Sequence, residues 1–190
     1  MKAISRDIDR YLRGTAGGRR ACLLAIATSC GLQAVLVYRF GRFLLRLQRE
    51  HWWAFPLLVP AWIVYAVGAF VVRVGYGIHL SLSADIGPGL CVWHFGGIDV
   101  RDCRIGANCA IAQQTRIGRD HAGAETRGPT IGDRVWLSPH VRIVGPFTIG
   151  PGATIGAGVT ISEDVPARVL VIGNPARVTL QDYDNSLFNF

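Results

Sequence analysis

The chain has 190 residues, half of them hydrophobic and 17% charged, enough for one substantial core or a domain with an appendage, and too apolar for a disordered chain. The formal charge is +7; residues 1–51 hold ten Lys/Arg against three Asp/Glu, while residues 52–190 hold ten of each, so the basic excess is N-terminal and suggests an anionic surface there. No zinc-finger spacing or aromatic RNA-binding pattern occurs, so no nucleic-acid partner is expected. The cysteines are odd in number (Cys22, Cys30, Cys91, Cys103, Cys109) and lack a CxxC, which reads as reduced, buried thiols.

Residues 1–19 are polar. The first twenty residues carry five arginines and no apolar core, so no signal peptide is expected and the protein reads as cytoplasmic. Residues 20–78 read as helical. Arg39, Arg42, Arg46 and Arg49 recur at intervals of three or four, with Phe40, Phe43, Leu44 and Leu47 largely on the other face. Residues 52–72 then run without a charge, long enough to span a bilayer. Two prolines and several Trp and Tyr residues favour instead a helical hairpin that docks on other subunits or lies in the membrane interface. Residues 1–78 are thus expected to form a helical, basic and apolar segment, with peripheral contact to the inner face of the cytoplasmic membrane through residues 20–78.

From residue 79 the texture changes. Aliphatic anchors recur every six residues: Leu80, Ile86, Val92 and Ile98; after a one-residue slip Ile105, Ile111 and Ile117; after an excursion at 119–130 Ile131, Leu137, Ile143, Ile149, Ile155 and Ile161. A second small or apolar set stands two residues before each next anchor, including Ala84, Leu90, Gly96, Cys103, Cys109 and Phe147. A six-residue period fits neither a helix nor an amphipathic strand. It specifies a mainly β fold, a parallel β-helix in which each hexad supplies one short strand and a turn, three hexads close a coil, and the anchors stack into one core. The β-helix is expected over 79–178, followed by a tail at 179–190.

Val92 and Ile98 are consecutive anchors, so His94 between them points away from the core. Hexad counting puts Gln113 and Pro139, beside His140, in the same slot on the next coils. His94 then either carries chemistry or is a surface or interface histidine. The excursion is polar and Gly-rich, carries His121, Glu125 and Arg127, and is either a substrate loop or a solvated loop.

These repeats resemble the hexapeptide-repeat acyltransferases, with the serine-acetyltransferase-like branch fitting best. The resemblance rests on Ile86-Gly87-Pro88-Gly89-Leu90, His94-Phe95-Gly96-Gly97-Ile98, Ile105-Gly106-Ala107-Asn108-Cys109, Pro129-Thr130-Ile131-Gly132-Asp133, Ile155-Gly156-Ala157-Gly158, Gly173-Asn174-Pro175-Ala176-Arg177-Val178 and Val37-Tyr38-Arg39-Phe40. It implies a left-handed β-helix, a homotrimer with acetyl-CoA between subunits and no metal, and His94 as the base. It leaves open whether trimers pair into hexamers. Serine acetyltransferases carry Asp before that His, where Trp93 stands here. They carry a second His in an Arg-His-Pro run that reads Arg127-Gly128-Pro129 here, and a base-orienting Asp that would fall at His79. These departures resemble the acetyltransferases of exopolysaccharide clusters, including the colanic-acid type.

The chemistry can also be read from the residues. A neutral hydroxyl is a poor nucleophile, and an imidazole is the natural acceptor for its proton. Backbone N–H groups around Gly96-Gly97, or from a facing coil, are candidate donors to the developing oxyanion. No Ser or Cys nucleophile with a partnered base is evident, which favours direct transfer. Coenzyme A would want a slot of small residues and cations for its phosphates: Ser138, Gly156 and Ala157, with Arg142, Arg168 and Arg177. Trp136 is a wall for the adenine or the acceptor, or a trimer contact.

The favoured reading is therefore an acetyl-CoA-dependent O-acetyltransferase acting on a sugar hydroxyl of a surface polysaccharide or its lipid-linked precursor. His79, Trp93, Gln113, His121, Glu125 and Arg127 are the candidate acceptor contacts. The alternatives are a serine O-acetyltransferase, a β-helix metalloenzyme of the γ-carbonic-anhydrase type using His94, His121 and His140, and a non-catalytic scaffold. The histidine spacing counts against the metalloenzyme.

Overall fold

The computed structural model describes residues 2–12, 26–51, 55–119 and 128–186. Within them helices α1 (Lys2–Leu12), α2 (Cys30–Glu50) and α3 (Phe55–Phe70) precede the repeats, and α3 runs on through a π-helical turn, Val71–Gly75. The strands that follow are two to four residues long and stack into three sheets. The first sheet holds β1 (Ile78–Leu80), β4 (Ile98–Val100), β7 (Arg116–Gly118), β10 (Arg142–Val144) and β13 (Thr160–Ile161). The second holds β2 (Asp85–Ile86), β5 (Arg104–Ile105), β8 (Thr130–Ile131) and β11 (Thr148–Ile149). The third holds β3 (Cys91–Val92), β6 (Ala110–Ile111), β9 (Trp136–Leu137), β12 (Thr154–Ile155), β14 (Leu170–Ile172) and β15 (Arg177–Leu180). Every pairing is parallel except β14 with β15. Chain order cycles through the three sheets, which makes a parallel β-helix.

The hexad rule explains the register. Anchors pair with anchors up the second and third sheets: Ile86 with Ile105, Val92 with Ile111, Ile111 with Leu137. In the first sheet the expected anchor Ile98 falls out of register: Leu80 pairs with Val100 and Ile98 with Ile78, because the turn at 93–97 lengthens the first coil. All thirteen anchors are buried, none more than 8% exposed. The second inward set is buried at Ala84, Leu90, Cys103, Cys109, Thr115, Val135, Val141, Ala153 and Val159. Two expected members depart from it. Gly96 and Phe147 are only half-buried; Gly96 belongs to the turn at 93–97, which swings outward. Within it His94, Gly96 and Gly97 all adopt positive φ, and the Gly96 N–H is held by the Tyr76 carbonyl at 2.8 Å.

The helices close the lower end of this core. α2 lies so close to β3 that a side chain at Gly31 would overlap the Val92 carbonyl. The Tyr38 hydroxyl donates to the Ala84 carbonyl at 2.8 Å and accepts the Ile86 N–H at 3.2 Å, satisfying backbone groups that the first coil leaves open. Sequence polarity hid how α1 docks. Its Asp7 is fully buried; the carboxylate accepts the Gly89 and Leu90 N–H groups at 2.6 and 3.1 Å and pairs with Arg39 Nε at 2.8 Å. Arg10 donates to the Gly89 carbonyl at 2.6 Å.

The basic face expected on α2 needs correction accordingly. Arg39 is turned inward onto Asp7 and the Ile86 and Gly87 carbonyls. Arg42 is turned onto the Leu82 carbonyl and Asp85. Only Arg46 and Arg49 of that set are exposed.

Candidate active site

Three vertical edges join the sheets of the β-helix. The edge between the third sheet and the first carries His94. Strand β3 delivers Trp93, whose N–H donates to the Ile111 carbonyl at 2.8 Å, and the chain then turns outward. His94 sits in this turn at φ 63°, is exposed, and makes no side-chain hydrogen bond to a described residue, so both ring nitrogens are open to a ligand. It borders a cavity of about 380 Å³ between the turn and the helices, lined also by Arg10, Tyr11, Gly31, Trp93 and Phe95. A Cβ at Gly96 would meet nothing within 4 Å, whereas one at Gly97 would run into the Gln114 amide. Room beside His94 is thus on the Gly96 side.

Other expected residues gather on the same edge. Gln113 is one coil above His94, and its Oε1 is buried without a hydrogen-bond partner, a polar atom that a bound donor would satisfy. Pro139 and His140 follow on the next coil, and His140 is exposed. The Trp93 and Trp136 rings lie 5.9 Å apart at 58°, and Trp136 Nε1 donates to Ser138 Oγ at 3.1 Å. Gly156 is next in that column; a side chain there would press on Ile172, which pairs with Arg177. Ala157 follows, exposed. Trp93, Trp136, Ser138, Gly156, Ala157 and Arg177 therefore form one ascending strip beside His94.

Arg142 lies just past the edge, on the first sheet. There the register stacks His79, Asp99, Arg116, Arg142 and Thr160 in one outward ladder. Arg168 is elsewhere. It occupies the edge between the second and third sheets and pairs with Asp182 at 3.7 Å, so it is not brought to this strip. His121, Glu125 and Arg127 lie outside the described residues.

His79 shows what stands where the resemblance puts a base-orienting Asp. Its Nδ1 is 2.9 Å from Asp99 Oδ1, which also accepts Arg101 Nε at 2.7 Å. Burial pushes the Asp99 carboxyl up, but the hydrogen bonds from Arg101 and His79 and their charges outweigh it and hold the group below the usual carboxylate range. The carboxylate is present in this region, yet it comes from the next coil and serves His79. Sequence counting missed Asp99; the signal available was the 20-residue first coil, which puts residue 99 directly above 79.

Three of the cysteines are buried in the coils, Cys30 is half-buried on α2, and Cys22 lies outside the described residues. Burial pushes the Cys91 and Cys109 thiols up to about 11 and the Cys103 thiol up to about 12. Among the described residues no cluster of three His, Cys, Asp or Glu side chains is placed to hold a metal, and His94 and His140 sit on different coils.

Residues 128–163 match the family model for the bacterial transferase hexapeptide, six repeats. A serine acetyltransferase of Bacillus licheniformis is 30% identical over 183 residues, which cover 96% of this chain and 79% of that relative. The structure of soybean serine acetyltransferase complexed with serine superposes with a TM-score of 0.73 at 26% identity, covering 94% of this chain and 68% of that one. The serine acetyltransferase of Brucella abortus in complex with coenzyme A gives a TM-score of 0.75 at 21% identity over 95% of this chain and 67% of that one, a likeness of fold.

These relatives overturn the sugar acceptor expected from the sequence. That expectation rested on single positions, Trp93, the His missing after Arg127, and His79 in place of an Asp. The kinship to serine acetyltransferases runs through nearly the whole chain, N-terminal helices included.

Proposed function

Because the chain belongs to the serine acetyltransferase family, an assignment carried by the 30% identity to one member over 96% of its length, we propose that it transfers the acetyl group of acetyl-CoA to the side-chain hydroxyl of serine. The fold and the strip of small residues beside His94 support this reading.

His94 takes the hydroxyl proton as the serine oxygen attacks the thioester carbonyl. The developing oxyanion is met by the backbone N–H of Gly97, since that of Gly96 is held by the Tyr76 carbonyl. The C–S bond then breaks, and His94 returns the proton to the departing thiolate, so O-acetylserine and coenzyme A leave and the enzyme is unchanged. Gln113 Oε1, unpartnered within the protein, accepts from the bound acceptor. Trp136, Ser138 and Gly156 flank the pantetheine arm, with Arg142 and Arg177 toward the phosphates. Trp93 and Phe95, both exposed, give a second copy an apolar edge to cover, in keeping with a homotrimer whose clefts lie between subunits.

The test is to incubate the purified protein with acetyl-CoA and L-serine and follow free coenzyme A together with O-acetylserine by mass spectrometry. Stoichiometric appearance of both supports the reading. Coenzyme A release that is independent of serine, or none at all, overturns it.

A further inference from the structure

Helix α3 and its π-helical extension are the least protein-like surface of the molecule. Pro56–Gly75 has a mean hydropathy of 2.0, and only 6% of it is buried. One stripe, Leu58, Ala61, Trp62, Tyr65, Gly68, Ala69 and Val72, at helical spacing, is at least partly covered. At its centre Tyr65 packs on Gly41 of α2 and Gly68 on Val37. The rest of the circumference is open: Leu57 is 78% exposed, Val64 65%, Phe70 66% and Val74 66%. Core helices bury such residues, and single surface apolar residues do not run on over five turns.

We propose that this face lies in the plane of a membrane interface, on an anionic leaflet. Three observations choose that occupant. First, residues 56–72 hold no charge, and their few hydrogen-bonding side chains, Trp62 and Tyr65, sit on the covered stripe. A protein partner would find no side-chain hydrogen bond here, whereas protein interfaces carry about one per 100–200 Å²; lipid asks for none. Second, Arg46 and Arg49 on α2, the helix that α3 docks along, and Arg73 in the π-helical turn are exposed, available to lipid phosphates. Third, α3 is docked along α2, which carries Arg42, Arg46, Arg49 and Glu50. Crossing a bilayer would drag those charges through it, so the helix lies in the interface without spanning.

The experiment is flotation of the full chain with vesicles of phosphatidylglycerol and phosphatidylcholine, and with phosphatidylcholine alone, for the wild type and for Val64→Glu/Val67→Glu, paired with light scattering and the acetyl-transfer assay. Both valines are exposed, so the substitutions leave the packed stripe and the activity intact. Wild type is expected to float with the anionic vesicles, less with the neutral ones, and the variant about tenfold less with unchanged transfer in solution. The proposal is overturned if wild type stays unbound with both vesicles, or if the variant floats as well as wild type. It is equally overturned if the variant loses assembly mass in solution while wild type ignores lipid, which would give the face to a second copy.

Discussion

The β-helix and the helical hairpin beneath it are similarly rich in aliphatic residues, yet they use them in opposite ways. In the β-helix every anchor from Leu80 to Ile161 is at most 8% exposed, because each hexad turns its anchor inward and the neighbouring coil covers it. In α3 apolar residues stand on every side, and only the stripe against α2 is covered. An apolar residue is thus informative only with its period: at six residues it names the core, while an unbroken run names nothing until its partner is known.

The largest effect sharpening this contrast is expected at the seam between the two regions. Asp7→Asn leaves Arg39 without its carboxylate in a buried setting, and should cost about 3–5 kcal/mol by denaturant unfolding. Ile143→Ala, within the β-helix, should cost about 2–5 kcal/mol. Val64→Ser, on the open face of α3, should stay within about 0.5 kcal/mol. Equal losses at Ile143 and Val64 would erase the distinction.

Two smaller effects concern titration. The thiols of Cys91, Cys103 and Cys109, pushed up by burial to about 11, 12 and 11, should resist a thiol reagent at neutral pH and react together on unfolding. Rapid labelling of these three thiols in the folded chain would mean that the coils breathe. Asp99 has its folded value depressed, so its contribution to stability is present above the unfolded value of roughly 3.9 and is lost as pH falls through the lower folded one. Asp99→Asn should lower stability slightly at neutral pH and not at all in strong acid, the smallest of these effects because the pair is partly exposed.

Much of this was legible in the residues. The hexads located each coil, and counting placed His94, Gln113 and Pro139 on one edge outside the core. The docking of helix α1 was not legible, because Asp7, Arg10 and Tyr11 look like solvated side chains until the backbone groups of Gly89 and Val92 are seen to need them. Their spacing of three and four on one helix face was the signal available. The His79–Asp99 pair was hidden by irregular coil length: the turn at 93–97 makes the first coil two residues longer than three hexads, so 99 and not 97 stands over 79. The acceptor was misjudged for a different reason. Trp93 and Gly128 show what two positions have lost, and they say little against a relationship spread over the whole chain.

The central claim is that His94, standing free on its edge, is the base. The most direct measurement is serine-dependent coenzyme A release by His94→Ala beside wild type, with secondary structure and assembly mass confirmed unchanged. The account predicts a fall in kcat of about 10²–10⁴-fold; a rate equal to wild type in a correctly assembled variant would contradict it.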